Sequence, residues 1–131
     1  MSSLSYAAPS SVDEAVKLLA GSAGLAKVLS GGTDLLVQMR AGRNVPELIV
    51  DVKKVPGTIG IRQEGGAWII GASTPGAVVE AHAGLNKDWP GLVEALDLIG
   101  STQVQGRCSL AGNLCNASPA ADSVPAMYAA G

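Results

Sequence analysis

The sequence predicts an α+β fold built from a small N-terminal α/β part and a second α+β part. Apolar runs at 26–29 and 48–52 flank a glycine-rich loop and a short amphipathic segment. This strand–loop–helix–strand order is typical of a small parallel unit. Further along, apolar runs at 58–62 and 67–70 surround the segment Gln-Glu-Gly-Gly, which predicts an antiparallel hairpin.

The first part opens with a helix. Ser11 and Glu14 have the spacing of a capping box, with Ser11 as the N-cap and Glu14 reaching back to it. The apolar residues that follow fall on one helical face as far as Leu19. Gly21 and Gly24 are expected to end the helix, because glycine is the usual residue just beyond a helix C-terminus.

A second, shorter helix is expected after the strand at 26–29. Leu35, Leu36 and Met39 form its apolar face, and Gly42 ends it. The pattern of the chain changes near residue 55, where a Pro-Gly pair follows. We therefore divide the chain into an N-terminal unit, 1–55, and a second unit, 56–131.

The second unit is expected to contain three helices. The first opens at Pro75, in the first helical position, and runs to about His82. The second follows the Trp-Pro-Gly segment 89–91, and the third is capped by Asp122 and runs to Ala130. One strand pair is few for an independent sheet, so we expect the chain to be part of a longer domain.

Composition excludes several classes of function. The net charge of −2 and the pI of about 5.2 leave no electrostatic footprint for nucleic acid or an anionic membrane. Aromatic residues make up 3% of the chain, which argues against platforms for stacking bases. The sequence has neither a signal-peptide pattern nor an apolar run near the roughly 20 residues of a membrane span. We expect a cytoplasmic protein without membrane insertion.

The two cysteines, Cys108 and Cys115, fit neither a disulfide scaffold nor a paired CxxC metal site. We expect two buried free thiols in a reducing compartment. No residue is predicted to bind a metal.

Two glycine-containing segments carry the functional signal, Ser-Gly-Gly-Thr-Asp at 30–34 and Ser-Leu-Ala-Gly-Asn at 109–113. Glycine lacks a Cβ, so its backbone N–H can come close to a phosphate. The first segment also precedes a predicted helix, where partial positive charge accumulates. A double glycine here is as often only a tight turn, and no GxGxxG or GxxxxGK[ST] motif is present. Together, the two segments predict a clamp on one pyrophosphate.

Polar residues continue beyond the second segment. Ser109, Asn113, Ser118 and Asp122 lie within one stretch that otherwise consists mainly of small residues. Ser118 followed by proline is typical of a turn, and Asp122 alone is typical of an N-cap. Many small residues between polar groups favour close packing around a polar ligand over a solvated loop.

The segments KVLSGGTDLL and CSLAGNLCNASPAADSVPA resemble the two FAD-contacting motifs of the molybdenum hydroxylase flavoproteins. These are the medium subunits of the xanthine dehydrogenase and carbon monoxide dehydrogenase family. The segments LIVDV, IGAST and GSTQVQGR also match in order, so the resemblance spans essentially the whole chain. It implies the FAD-binding fold of the vanillyl-alcohol oxidase type, with FAD between a small α/β subdomain, 1–55, and a second, incomplete α+β subdomain, 56–131.

The resemblance also implies which residues contact FAD. The first motif would wrap the diphosphate and adenosine side through Lys27, Val28, Leu29, Ser30, Gly31, Gly32, Thr33, Asp34 and Leu35. The second would hold the diphosphate, the ribityl chain and the approaches to the flavin through Val104, Ser109, Gly112, Asn113, Asn116, Ser118 and Asp122. Among the arginines, Arg107 is the best candidate to touch phosphate, because it precedes the second segment. Ala111 departs from the family pattern, which usually has glycine at this position.

The function implied by the resemblance is electron transfer. In the family, substrate is oxidised at a molybdenum centre in a large subunit, and electrons pass through two [2Fe–2S] clusters in a small subunit to FAD. FAD then passes them to NAD⁺, oxygen or a quinone-type acceptor. The partners would form a heterotrimer or a dimer of heterotrimers. The redox chemistry belongs to the cofactor, so no catalytic residue is assigned and the single histidine, His82, is expected to be structural.

Two alternatives stay open. One is a UDP-N-acetylmuramate dehydrogenase-like flavin reductase of the same fold, and the other is a truncated, non-catalytic fragment that only docks partner subunits. The Ser118-Pro-x-x-Asp122 run favours the molybdenum hydroxylase family over the reductase.

Overall fold

The computed structural model describes residues 3–131 as a parallel sheet, a β-hairpin and a set of helices. The elements in chain order are β1 Ser5–Ala7, α1 Val12–Gly21, β2 Ala26–Leu29, α2 Leu35–Arg40, β3 Leu48–Asp51, a 3-10 helix Val52–Lys54, β4 Ile61–Glu64, β5 Ala67–Ile70, α3 Gly76–Glu80, α4 Ala83–Asp88, α5 Pro90–Asp97, α6 Thr102–Gln105, α7 Leu110–Cys115 and α8 Ser123–Ala130. No helix in this described part combines the length and apolar character needed to cross a membrane.

The N-terminal sheet has the order β1-β3-β2, and both pairings are parallel. The predicted parallel unit of β2, α2 and β3 is therefore confirmed. Strand β1 escaped prediction because its three residues, Ser-Tyr-Ala, form no apolar run. Helix α1 packs on the sheet, where Ala15, Val50 and Val55 form a small buried core.

Helix α1 begins with a variant of the predicted capping box. The Ser11 Oγ accepts a hydrogen bond from the Glu14 N–H at 3.2 Å, as expected. The Glu14 carboxylate, however, accepts from the Ser10 N–H at 2.9 Å instead of from the N-cap residue itself. The Glu14 carboxylate thus satisfies the N–H of Ser10, one residue before the predicted donor, the N–H of Ser11. The helix ends at Gly21, and Gly24 follows in a left-handed conformation with a φ of 85°.

The hairpin is tighter than predicted. Gly65 and Gly66 both have positive φ, at 56° and 82°, as a two-residue type I′ turn requires. Gln63 and Glu64 therefore belong to β4, where they pair with β5. The predicted strand, 58–62, begins three residues too early and ends two too early, because Gln63 and Glu64 are polar; the structure leaves both exposed.

The helices of the second part differ from prediction at α3 and α4, and helices α6 and α7 were not predicted. Pro75 is the N-cap of α3 in an extended conformation, so its predicted position as first helical residue is wrong. Helix α3 then ends at Glu80, and a separate helix, α4, begins at Ala83. His82 caps α4, because its Nδ1 accepts a hydrogen bond from the Leu85 N–H at 3.2 Å. This bond gives His82 the structural role expected of it. The predicted helices near 91–99 and 123–130 are confirmed as α5 and α8.

A second core lies among α3, α4 and α5. Val79, Leu85 and Leu96 are almost fully buried there, and Cys108 joins them. Each part of the chain thus has its own apolar cluster. The exact boundary at residue 55 stays a prediction.

The two parts meet through backbone packing at Gly31. A Cβ added to Gly31 would lie 2.6 Å from the carbonyl carbon of Arg107 and closer still to its oxygen. On its other side, the same segment contacts α3, where the Gly76 N–H donates to the Cys108 carbonyl at 2.8 Å. A Cβ on Gly76 would itself come within 3.0 Å of the Cys108 Sγ. The Arg107–Cys108 backbone is therefore held between two glycines.

We expect Gly31→Ala to lower the free energy of unfolding by about 2–3 kcal/mol or more, because the new methyl meets backbone that has little freedom to move. Gly91→Ala is the matched control, since its Cβ would meet nothing within 4 Å in helix α5. Alanine there should raise stability by about 0.5–1 kcal/mol. Urea unfolding of both variants tests this, and equal stabilities would contradict the packing argument.

Candidate functional site

A cleft of about 550 Å³ lies where the two parts meet. Most of the predicted site residues line it: Lys27, Val28, Ser30, Gly31, Gly32, Thr33, Asp34, Leu35, Ser109, Gly112, Asn113 and Asn116. The two glycine-containing segments, far apart in sequence, therefore face one shared space. That space has the size of an ordinary small-molecule site.

Four predicted site residues do not line the cleft. Leu29 packs beneath the first loop, and Val104 packs against the second core. The Ser118 Oγ accepts a backbone N–H two residues later, which is the local turn role. Asp122 is exposed at the N-cap position of α8, but its side chain makes no capping bond. The predicted side-chain cap is wrong, and contacts from these four residues to a ligand in the cleft stay predictions.

Other residues line the cleft without having been predicted. They are Gln38, Asn44, Val52, Ala72, Ser73, Ile99, Cys108, Ala111 and Cys115. Gln38 lies one helical turn after Asp34, a spacing that could have found it. Ser73 precedes the start of α3 and lies in the segment IGAST, but the resemblance did not single it out as a cofactor contact.

The first loop, residues 30–34, is anchored by an ion pair beneath it. Lys53 Nζ donates to the Ser30 carbonyl at 2.8 Å and to both carboxylate oxygens of Asp51 at 2.8 Å. The Tyr6 hydroxyl donates to the same carboxylate at 2.6 Å. Burial raises the pKa of Asp51, but the hydrogen bonds from Lys53 and Tyr6 outweigh burial and hold the pKa below its usual range.

The first loop has unused backbone donors. Within residues 3–131, the N–H groups from Gly31 to Leu35 donate to no protein acceptor. Gly32 makes this conformation possible with a φ of +75°, and Leu36 packs against it. Asp34 stands at the N-cap position of α2 but forms no capping bond with its side chain. Since α2 has only six residues, the loop's own N–H groups matter more here than the helix dipole.

The second segment is a helix start and not a loop as predicted. Ser109 is the N-cap of α7, and its Oγ accepts the Gly112 N–H at 3.1 Å. A Cβ on Gly112 would lie 2.9 Å from that oxygen. The absence of a Cβ at Gly112 therefore leaves space for the Ser109 cap, and it leaves space for a ligand as well. Across the cleft, the Ser109 and Ser30 hydroxyls lie 3.3 Å apart.

Amide side chains form the polar wall of the cleft. Gln38 Nε2 donates to Asn116 Oδ1 at 2.8 Å, and Asn44 in turn donates to Gln38. Asn113 Oδ1 accepts from the N–H and the hydroxyl of Ser123, at 3.2 and 2.6 Å. Both acceptor positions of Asn113 are thus occupied. Its amide NH₂ is the part that a ligand can use.

The cysteines divide into one buried and one exposed thiol. Cys108 is buried, and burial raises the pKa of its thiol. Cys115 is exposed and lines the cleft, so the expectation that both are buried is wrong for Cys115. The side chain of Arg107 is exposed, and Arg107 does not line the cleft. Its backbone contacts Gly31, and a contact of its side chain with phosphate stays a prediction.

The donor set of the cleft indicates the class of ligand. Backbone N–H groups, serine and threonine hydroxyls and amides line it, with Lys27 as a cation and Asp34 as an anion. No group of three or more His, Cys, Asp or Glu side chains in residues 3–131 could hold a metal ion. Donors of these kinds are typical of domains that bind a ligand with phosphate groups.

The sequence from residue 2 to residue 131 matches the family described as the FAD binding domain in molybdopterin dehydrogenase. The chain belongs to this family. The predicted resemblance and its cofactor, FAD, are thereby confirmed.

Relatives agree with this assignment. The chain is 37% identical over 117 residues to the carbon monoxide dehydrogenase medium chain of Hydrogenophaga pseudoflava, covering 89% of this chain and 41% of the relative. It is 31% identical over 120 residues to the xanthine dehydrogenase FAD-binding subunit of Escherichia coli O157:H7, covering 91% and 41%. The structure of reconstituted CO dehydrogenase from Oligotropha carboxidovorans matches with a TM-score of 0.88 at 31% identity, covering 92% of this chain and 42% of that one. The chain spans about two fifths of the length of these relatives.

The bonds of the Asp51 carboxylate predict how the free energy of unfolding depends on pH at acidic values. A carboxyl whose pKa is lowered by folding stabilises the fold above its unfolded pKa of about 3.9. That stabilisation is lost as the pH falls through the lower, folded value. We expect Asp51→Asn to lower the free energy of unfolding by about 1–3 kcal/mol at pH 7, and the gap to the wild-type protein to narrow towards pH 3.

Urea unfolding at several pH values measures this gap. Asp13→Asn is the control, because Asp13 is exposed in the first turn of α1 and should change stability by only about 0.5 kcal/mol. A gap between Asp51→Asn and the wild-type protein that stays constant from pH 7 to pH 3 would contradict the assigned role of the carboxylate.

Proposed function

We propose that the cleft binds FAD and that the chain belongs to an electron-transferring subunit of a molybdenum-containing hydroxylase or dehydrogenase. The observation that carries this proposal is the convergence of both FAD-motif segments on one cleft in a chain of the FAD-binding family. Membership of that family favours this reading over a UDP-N-acetylmuramate dehydrogenase-like reductase.

The residues of the cleft fit a dinucleotide cofactor. A diphosphate is an anionic acceptor, and the five N–H groups from Gly31 to Leu35 are donors without protein partners. Thr33 adds a hydroxyl to the same loop, and Asn113 offers its NH₂ from the opposite side. Lys27 supplies a positive charge at the rim. We therefore assign the diphosphate to the space between residues 31–35 and Asn113.

The rest of the cofactor would extend along the junction of the two parts. This arrangement corresponds to the vanillyl-alcohol oxidase type of FAD-binding fold, with 1–55 and 56–131 as the two subdomains. It is supported by the lining of the cleft, to which both ranges contribute. Of the predicted FAD contacts, Leu29, Val104, Ser118 and Asp122 are supported least, because they lie outside the cleft.

FAD, when bound, takes up and releases one or two electrons, which is the chemistry that the residues of this chain do not supply. The chain's task is to bind and orient the cofactor and to shield it from water. Electrons would come from [2Fe–2S] clusters in a small partner subunit, fed by the molybdenum cofactor of a large subunit, and leave to an external acceptor. Relatives that are named as medium chains or FAD subunits of dehydrogenases support this placement.

The first test is retention of FAD by the purified chain. We expect flavin absorbance near one equivalent after incubation with excess FAD and desalting. Thr33→Val should weaken FAD binding about 3- to 10-fold by removing one hydroxyl donor. Thr102→Val makes the same change at an exposed site outside the cleft and should leave binding unchanged. A folded wild-type chain that retains no flavin would overturn the proposal for this chain.

A second, independent readout uses the exposed thiol. Cys115 lines the cleft and should react readily with a maleimide reagent, whereas buried Cys108 should not. We expect FAD to slow the labelling of Cys115, as measured by mass spectrometry of the modified peptide. Labelling of Cys115 at the same rate with and without bound FAD would place the cofactor elsewhere.

A further inference from the structure

A chain of three serine hydroxyls runs along the cleft and ends at Ser73. The Gly112 N–H donates to Ser109 Oγ at 3.1 Å, and Ser109 Oγ lies 3.3 Å from Ser30 Oγ. The Ser30 hydroxyl donates to Ser73 Oγ at 2.9 Å. Each serine hydroxyl has a single hydrogen, so counting hydrogens fixes the direction of the chain.

This count leaves the hydroxyl hydrogen of Ser73 without an acceptor in the described chain. Ser30 uses its hydrogen on Ser73, so the hydrogen between Ser30 and Ser109 must come from Ser109. Ser73 accepts from Ser30, and within residues 3–131 its own hydrogen has no acceptor. Because Ser73 is only 3% exposed, bulk water has little access to it. A buried donor without an acceptor is unfavourable, and Ser73 lines the cleft, where a ligand can supply the acceptor.

The backbone holds Ser73 in place independently of its hydroxyl. The Ser73 N–H donates to the Thr58 carbonyl at 2.7 Å, and the Thr74 N–H donates to the Gly71 carbonyl at 2.9 Å. The hydroxyl is thus presented from a fixed turn between β5 and α3. Hydroxyls in a chain also polarise one another, which makes the last one a stronger donor.

We propose that the Ser73 hydroxyl donates a hydrogen bond to a diphosphate oxygen of FAD, making Ser73 a third contact beside the two glycine-containing segments. This inference rests on the proposed function. A diphosphate oxygen is favoured over flavin or adenine atoms because Ser73 is bonded to Ser30, which directly precedes the five free N–H groups of the first loop. Anionic oxygens also form the stronger bond with a hydroxyl donor.

The test is Ser73→Ala, studied by FAD titration and by ³¹P NMR of the bound cofactor. We expect the Kd for FAD to rise at least about 10-fold, since the lost bond is to a charged group. One ³¹P resonance of bound FAD should shift, while the visible flavin band stays in place. Ser101→Ala is the control, because Ser101 is exposed and its side chain makes no capping bond. Ser73→Cys serves if the alanine variant does not fold, because the thiol still accepts from Ser30 but is a weak donor.

The outcomes separate this inference from the proposed function. If the wild-type chain binds no FAD, the proposed function fails first. If it binds FAD and Ser73→Ala binds with the same Kd and the same ³¹P spectrum, this inference is overturned and the proposed function stands. If the variant shifts the visible flavin band and leaves both ³¹P resonances unchanged, the hydroxyl faces the flavin and the assignment to the diphosphate is wrong.

Discussion

The structure depends on one contact between backbones, that of Gly31 with the Arg107–Cys108 segment. No side chain larger than hydrogen fits at residue 31, because the carbonyl of Arg107 occupies that space. The same segment is bonded from its other side by the Gly76 N–H. This contact joins an N-terminal sheet and a helical part that otherwise have separate cores. Hydrogen bonds of Ser30 with Ser73 and of Gln38 with Asn116 also join the two parts, and both parts line the cleft.

Around this contact, the cleft is organised by neutral dipoles more than by charge. Lys53 is near the first loop, but it is committed to Asp51 and to the Ser30 carbonyl. Apart from the charged side chains of Lys27 and Asp34, the groups left for a ligand are N–H donors, hydroxyls and the NH₂ of Asn113. Such donors bind an anion through the number and the orientation of their hydrogen bonds, because each N–H or O–H points its hydrogen in one direction. The anchoring ion pair therefore acts on the loop's position and not on the ligand.

The sequence predicted the elements with strong local signals and missed those without them. Strands β2 and β3 and helix α2 were predicted because an apolar run or face marks each one. Helix α7 was read as a loop because Gly112 lies inside it, and only the Ser109 cap and packing on α8 make it helical. The cleft residues on the two contiguous segments were found as motifs. Ser73 and Asn44 were missed because tertiary folding brings them to the cleft, whereas the helical spacing from Asp34 could have indicated Gln38.

In the described chain, strand β2 forms one edge of the parallel sheet: it pairs with β3 on one side and with no strand on the other. Its residues Lys27 and Val28 are exposed and line the cleft. An open strand edge is a template on which another chain can add a strand, and a lysine at the edge opposes such pairing. A ligand in the cleft would cover part of this edge as well. Occupancy of the cleft would then protect the protein against aggregation through β2.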